Sequence, residues 1–284
     1  MIDRIATSFG LPLLLGATSL VPWRFSPSPR TDAPSGQVEL HVLQDSAYHR
    51  ARRIWVYTPP GYDPNRPNPY PLLIAFDGEE YRDSMPLPAV LDSLQAAGAA
   101  PAFVAILIDD SAGPVRIADL GNAPRMVSFL AEQLVPWVRK GWHVTRDPHR
   151  VILTGSSAGG LGSAFAAVAR PDLFGNVWSQ SGAFWRGANG SNTAPWEWLT
   201  GEVARSPARD VRFALDVGAL EDHATLGGSG PNFLEATRRF RDALQTRGYA
   251  VAYTEVPGGV HAPQSWRSRL GYGIAVLTRG WPHD

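Results

Sequence analysis

The stretch RVILTGSSAGGLGSAFAAVA, residues 150–169, joins a short apolar run to a helix-length segment of small residues through two glycines that bracket a serine. VILT at 151–154 suits a strand buried on both faces, AGGLGSAFAAVA suits a helix, and Gly155, Ser157 and Gly159 form a GxSxG pattern where the two meet. A serine on so sharp a turn occupies strained backbone. Side chains two positions to either side of it would collide with the neighbouring strand and helix, and glycine at both places removes the collision. The Ser157 hydroxyl then points out at the carboxyl end of the sheet, and the Ala158 backbone N–H, at a helix N-terminus, can stabilise an oxyanion. A glycine-rich turn of this kind can also be without chemistry, but the lysine that a phosphate-binding loop would need is absent.

Other segments repeat the alternation. Continuous apolar runs at 72–76 (LLIAF), 103–108 (FVAILI) and 213–217 (FALDV) read as further buried strands. Helix-length segments with apolar residues at three and four spacing lie among them: PLPAVLDSLQAAG, APRMVSFLAEQLVPWV and NFLEATRRFRDALQTRG. Before the first run, QVELHVL and RIWVYTP alternate apolar with polar as half-buried antiparallel strands do, and the proline-rich stretch 59–71 can only be a loop. Strand alternating with helix predicts an α/β fold with a mostly parallel, twisted sheet and helices on both faces.

A serine hydroxyl needs a base to accept its proton, so a histidine is expected on a later loop of the same sheet edge. Of seven histidines, His261 fits: it follows the strand VAYTEV at 251–256 and precedes a helix-like tail. His41, His49, His143, His149 and His283 fall at structural or exposed positions. His223 is the rival, but its loop, GALEDHAT, is better placed to supply the acid, and a metal reading of Glu221, Asp222 and His223 lacks a ligand partner. Glu221 and Asp222 both sit just past a strand end, where a carboxylate can fix the imidazole tautomer, and physics alone does not separate them.

With these residues in view, the chain resembles the catalytic domain of enterochelin-esterase-like proteins, in the esterase D and feruloyl-esterase branch of the α/β hydrolases. The matches are LLIAFDGEEY, ILID followed by Arg116, Asp119, Leu120 and Asn122, then QLVPWV, RPDLFGNVWSQSGAFW, and VPGGVH with Trp266, Arg267 and Leu270. The resemblance implies an α/β-hydrolase fold with Ser157 as nucleophile, His261 as base and the glutamate of VGALE, Glu221, as acid, Asp222 being the alternative. It also implies that the backbone at Gly78 and Glu79 completes the oxyanion hole, and that Arg116 faces the substrate side of the cleft, where it could pair with an acidic or catecholate group. A surface ion pair is the plainer account of Arg116. Trp178, Trp185 and Trp266 are candidates to stack on an aromatic acyl group, core packing being the other account. Two departures leave the substrate open: Asp119 stands where a glutamate is usual, and Ala262 where an acidic residue is common.

Composition narrows the rest. An apolar fraction of 44% with 18% charged residues is that of a globular enzyme with a large core. Lys+Arg and Asp+Glu both number 26, and no like-charge run stands out, which argues against a nucleic-acid partner. The absence of cysteine removes thiol nucleophiles, disulfides and cysteine-ligated zinc. Neither a cofactor nor a metal is expected. The expected organisation is an apolar leader and a Pro/Ser-rich linker over 1–36, then a stand-alone catalytic domain over 37–284, without the additional N-terminal domain common in enterochelin esterases. If residues 1–23 act as a signal or anchor the protein is periplasmic, secreted or membrane-bound; otherwise it is cytoplasmic. The expected function is hydrolysis of a small-molecule carboxylic ester, a siderophore lactone or a feruloyl-type ester, through an acyl-enzyme. The alternatives are acyl transfer from that acyl-enzyme to an alcohol, or a non-catalytic binding module on the same scaffold.

Overall fold

Eight strands form one sheet in the order β1-β2-β4-β3-β5-β6-β7-β8 in the computed structural model, which describes residues 34–110, 113–121, 123–223 and 232–282. The apolar leader and nearly all of the linker, together with Asn122 and His283, lie outside the described residues. The strands are β1 (Gln37–Asp45), β2 (Arg50–Thr58), β3 (Leu72–Ala75), β4 (Val104–Ile108), β5 (Val151–Ser156), β6 (Asn176–Gln180), β7 (Arg212–Gly218) and β8 (Ala250–Val256). β1 pairs antiparallel with β2 and β2 antiparallel with β4; every later pairing is parallel. The two alternating segments form an antiparallel flank, in which β1 is not half-buried as expected, since its apolar Val38, Leu40 and Val42 are exposed, and the continuous apolar runs form the parallel body, buried on both faces.

The helices are α1 (Gly78–Asp83), α2 (Leu87–Ala96), α3 (Gly113–Leu120), α4 (Pro124–Ser128), α5 (Val135–Gly141), α6 (Ala158–Ala169), α7 (Trp198–Arg205), α8 (Phe233–Thr246), α9 (Pro263–Arg267) and α10 (Leu270–Leu277). A π-helical stretch, Phe129–Leu134, joins α4 to α5. Successive strand residues feed opposite cores, as the two-residue strand period demands. Leu72, Ile74, Val104 and Ile106 pack with Leu161 of α6 and Phe240 of α8, whereas Leu73, Ala75, Ala105 and Leu107 pack with Leu91 of α2 and Ile274 of α10. Capping agrees with the sequence at α8, where the Asn232 side chain accepts the Glu235 N–H at 2.6 Å.

β6 was not expected as a strand. Its sequence, NVWSQ, is wholly buried yet carries three polar side chains, so it breaks the apolar-run pattern. Two of those side chains are hydrogen-bonded: Asn176 donates to the carbonyls of His149 and Val151, and Gln180 accepts from Tyr81 Oη at 2.8 Å and donates to Trp266 O at 3.0 Å.

The strand order places the site. From β3 the chain passes to β4 on one side, then returns across β3 to β5 on the other, so the loops after β3 and β5 diverge and leave a crevice at their carboxyl ends. Among the described residues no helix is long and apolar enough to cross a membrane.

Candidate active site

Ser157 occupies the turn between β5 and α6 with φ 54° and ψ −116°, a conformation that a non-glycine residue adopts only where its surroundings impose it. The surroundings are visible. A Cβ on Gly155 would come within 2.6 Å of the Gly159 backbone, and one on Gly159 within 2.9 Å of the Asp77 carboxylate. The Ser157 N–H is held by Gln180 O at 2.9 Å, and its carbonyl accepts from Ala183 N at 2.9 Å. Both glycines of the pattern are thus demanded by packing, as the sequence anticipates.

His261 Nε2 lies 3.0 Å from Ser157 Oγ, and its Nδ1 lies 2.7 Å from Glu221 Oε2. Glu221 is buried, and its other oxygen accepts from Ser181 Oγ at 2.6 Å and from Gly218 N at 2.9 Å. Trp266 Nε1 donates in turn to Ser181 Oγ at 2.9 Å. The imidazole is fixed sideways by rings: Phe233 at a centroid distance of 4.0 Å and Trp266 edge-on at 4.9 Å. Asp222, the alternative acid, instead turns to solvent beside His223 at 3.7 Å. The geometry therefore brings Ser157, His261 and Glu221 into one hydrogen-bonded chain and leaves Asp222 outside it.

Across the crevice, Asp77 caps α1 in the left-handed region with φ 54° and ψ 47°. The first amide of α1 to bond back within the turn is that of Tyr81, to Asp77 O at 3.0 Å; those of Gly78, Glu79 and Glu80 belong to the open first turn. Gly78 must be glycine because a Cβ would meet Leu107 backbone atoms of β4 at 2.5 Å. The Glu79 side chain points away to Arg53 at 3.1 Å, so only its backbone is available to the crevice.

Arg116 lines the crevice, but its guanidinium is engaged by both oxygens of Asp77 and by Ser156 O. Asp110, behind Asp77, accepts the Asp77 N–H at 2.8 Å and pairs with the fully buried Arg52. Burial, and then the Asp77 charge, push the Asp110 carboxyl up to about 7. Glu80, also lining the crevice, is raised by burial and by Asp77, with Arg116 and His261 opposing.

The cleft encloses about 640 Å³, enough for an ester with an aromatic acyl group. Among the described residues lining it are Asp77, Glu79, Glu80, Asp83, Asp109, Asp110 and Arg116, and most of these acids are paired: Asp77 with Arg116, Glu79 and Asp109 with Arg53, Asp83 with Arg82, and Asp110 with Arg52. Of the three tryptophans, only Trp266 lines it. Trp178 is 1% exposed inside the core and bonds Asp216 at 2.9 Å. Trp185 is buried against Trp196 and Phe233. The expectation that Trp178 and Trp185 stack on substrate is corrected: their indoles fill space between sheet and helices, the plainer account. Asp119 is likewise buried, paired with Arg50 and Arg52. Among the described residues no group of three histidine or acidic side chains is arranged to hold a metal ion.

Sequence reasoning passed over Ser181, Phe233 and Asp110. Ser181 and Asp110 lie just past the carboxyl ends of β6 and β4, so tracing the strand ends at the switch point would have found them; Phe233 is indistinguishable from a core aromatic until the fold is known.

Comparison with known proteins identifies the family and the fold. Residues 46–275 match the Esterase family. An iron(III) enterobactin esterase of Dickeya dadantii is 30% identical over 266 residues, covering 88% of this chain and 57% of that protein. That of Escherichia coli K12 is 28% identical over 255 residues, covering 89% and 60%. Among solved structures, the enterobactin esterase FES from Shigella flexneri superimposes with a TM-score of 0.74 at 25% identity, over 88% of this chain and 62% of that one. A ferulic acid esterase from Anaeromyces mucronatus, with a TM-score of 0.68 at 17% identity, shares the fold. The chain spans 57 to 60% of the length of these curated relatives.

Proposed function

The chain belongs to the Esterase family, and from that premise we propose that it is a serine hydrolase of carboxylic esters working through an acyl-enzyme. One observation carries the reading: the continuous hydrogen-bonded chain from Ser157 Oγ through His261 to the buried Glu221. Glu221 accepts Nδ1–H, which leaves Nε2 free to take the serine proton as the hydroxyl attacks the ester carbonyl. The negative charge that develops on the carbonyl oxygen falls between the Ala158 amide and the amides of Gly78 and Glu79. His261 then returns the proton to the departing alcohol and activates a water that releases the acid. The His261 side chain is 32% exposed, so solvent water reaches the acyl-enzyme and hydrolysis is favoured over transfer to an alcohol.

The substrate classes are siderophore lactones, for which the relatives are named, and feruloyl-type aromatic esters.

Steady-state hydrolysis of p-nitrophenyl butyrate, methyl ferulate, and a catecholate trilactone with and without iron tests this. Turnover that disappears in Ser157→Ala supports the reading. An equal residual rate in Ser157→Ala contradicts the nucleophile.

A further inference from the structure

Arg116 lies in a substrate-facing wall, and its type invites a role as receptor for a substrate anion. Its contacts say otherwise. The Nε and Nη2 edge, the fork that would grip a carboxylate or catecholate bidentately, is already closed on Asp77 Oδ1 and Oδ2, the second contact at 2.6 Å. Nη2 also donates to Ser156 O at 3.2 Å. Only the opposite edge faces away from these partners.

The two groups it grips matter because of where they are. Asp77 is the residue whose left-handed turn starts α1, so its position sets the Gly78 and Glu79 amides. Ser156 immediately precedes the nucleophile, so its peptide sets the strained elbow and, through it, the Ala158 amide. Arg116 sits on α3, a third element, and pins the two turns to each other across the switch point. The Asp77 carboxylate is pressed against the first turn of α6, close to where a Gly159 Cβ would be, and the Asp77 N–H is anchored from behind by Asp110 Oδ2 at 2.8 Å. Asp77 is nearly buried, with 8% of its side chain exposed, and Arg116 is 20% exposed. That makes the pair a partly desolvated bidentate ion pair, not a surface contact screened by water.

We propose that Arg116 is a positioning residue: by bridging Asp77 and Ser156 it fixes the distance between the two halves of the oxyanion hole, and it does not select the substrate's charge. The inference rests on the esterase reading, since it concerns amides that act only if an acyl oxyanion forms. A brace of this kind works in the transition state, because the ground-state ester binds without needing both amides at their final separation. Its loss therefore falls on kcat.

The test compares wild type, Arg116→Lys, Arg116→Met, Asp77→Asn and the Arg116→Met/Asp77→Asn double variant, all in the full chain. Each is assayed on p-nitrophenyl butyrate, which is neutral, and on p-nitrophenyl hydrogen succinate, which is anionic. Arg116→Met is expected to lower kcat by about 30-fold on both esters with KM within about twofold, somewhat less than deletion of an oxyanion donor itself. Arg116→Lys keeps the charge but loses the fork, and is expected to lose about 5-fold in kcat. The double variant should be no slower than the worse single, because both remove the same bridge. A rise in KM confined to the anionic ester would overturn the proposal and make Arg116 a substrate receptor. Unchanged kinetics in Arg116→Lys and Arg116→Met would overturn it as well. Thermal unfolding identifies a variant that fails to fold; if Arg116→Met does, Arg116→Lys decides by the same two criteria. A wild type with no turnover on either ester refutes the esterase reading instead, which keeps the two failures apart.

Discussion

The two walls of the cleft are held by different physics. On the His261 side one buried carboxylate, Glu221, is surrounded by neutral donors and aromatic rings: Ser181, the Gly218 amide, Trp266 and Phe233. On the Arg116 side the turn at Asp77 is held by charges: Arg116 before it, Asp110 and Arg52 behind it. The first arrangement fixes an imidazole without offering it a competing proton site, which proton transfer requires. The second fixes backbone amides, which never titrate, so its charged supports can titrate without taking part in the chemistry. The comparison predicts that damage to the first wall destroys proton transfer outright, whereas damage to the second grades with charge state.

The largest effect should fall on the neutral-packed wall. Glu221→Ala is expected to lower kcat/KM by about 10³- to 10⁴-fold, the loss found when the acid of a triad is removed, whereas Asp222→Ala stays within about twofold. A large loss in Asp222→Ala would move the acid and undo the contrast. Next comes the support of that carboxylate. Ser181→Ala removes a donor to Glu221 Oε1 and leaves Trp266 Nε1 unpartnered, and should cost about tenfold in kcat, the worth of one hydrogen bond to a buried charge.

The charged wall should respond to pH. The Asp110 carboxyl is pushed up to about 7 by burial and then by the Asp77 charge, from an ordinary value of 3.8 in the unfolded chain. Between these values the folded chain binds the additional proton, so this group's contribution to stability is full below about 3.8 and is lost as pH rises through about 7. Asp110→Asn keeps an acceptor for the Asp77 N–H but cannot ionise. The difference in unfolding free energy between wild type and Asp110→Asn, followed across that window, is expected to shift in favour of the variant as pH rises. Parallel curves would show that Asp110 is ionised throughout and that the two walls do not differ in this respect. Smallest is the effect of the tryptophans now placed in the core: Trp185→Phe should leave KM for methyl ferulate within about twofold, since conservative core swaps act on stability rather than on the cleft.

Much of this was legible in the sequence, for identifiable reasons. Gly155 and Gly159 announce the elbow because only glycine fits the contacts there, and apolar runs announce β3, β4, β5 and β7 because strands covered on both faces have no polar positions to spend. β6 escaped because its buried Asn176, Ser179 and Gln180 imitate a loop; three-dimensional partners, not periodicity, make Asn176 and Gln180 acceptable there. The acid could be narrowed to two adjacent residues but not to one, because which carboxylate turns inward depends on the Gly218–Glu221 turn. Arg116 lines the cleft, yet its partner Asp77 lies 39 residues away and is invisible to local reading. Trp178 and Trp185 show the converse: nearness in sequence to Ser157 does not put a side chain in the cleft, since both are buried in the core.

The most direct measurement of the central claim is the location of a covalent adduct. The full chain is treated with a fluorophosphonate, digested, and read by mass spectrometry, beside its His261→Ala variant. The account predicts a single modified peptide containing residues 150–169 with the adduct on Ser157, and labelling slowed by orders of magnitude when His261 is lost. An adduct on another residue, or equal labelling in the variant, would contradict it.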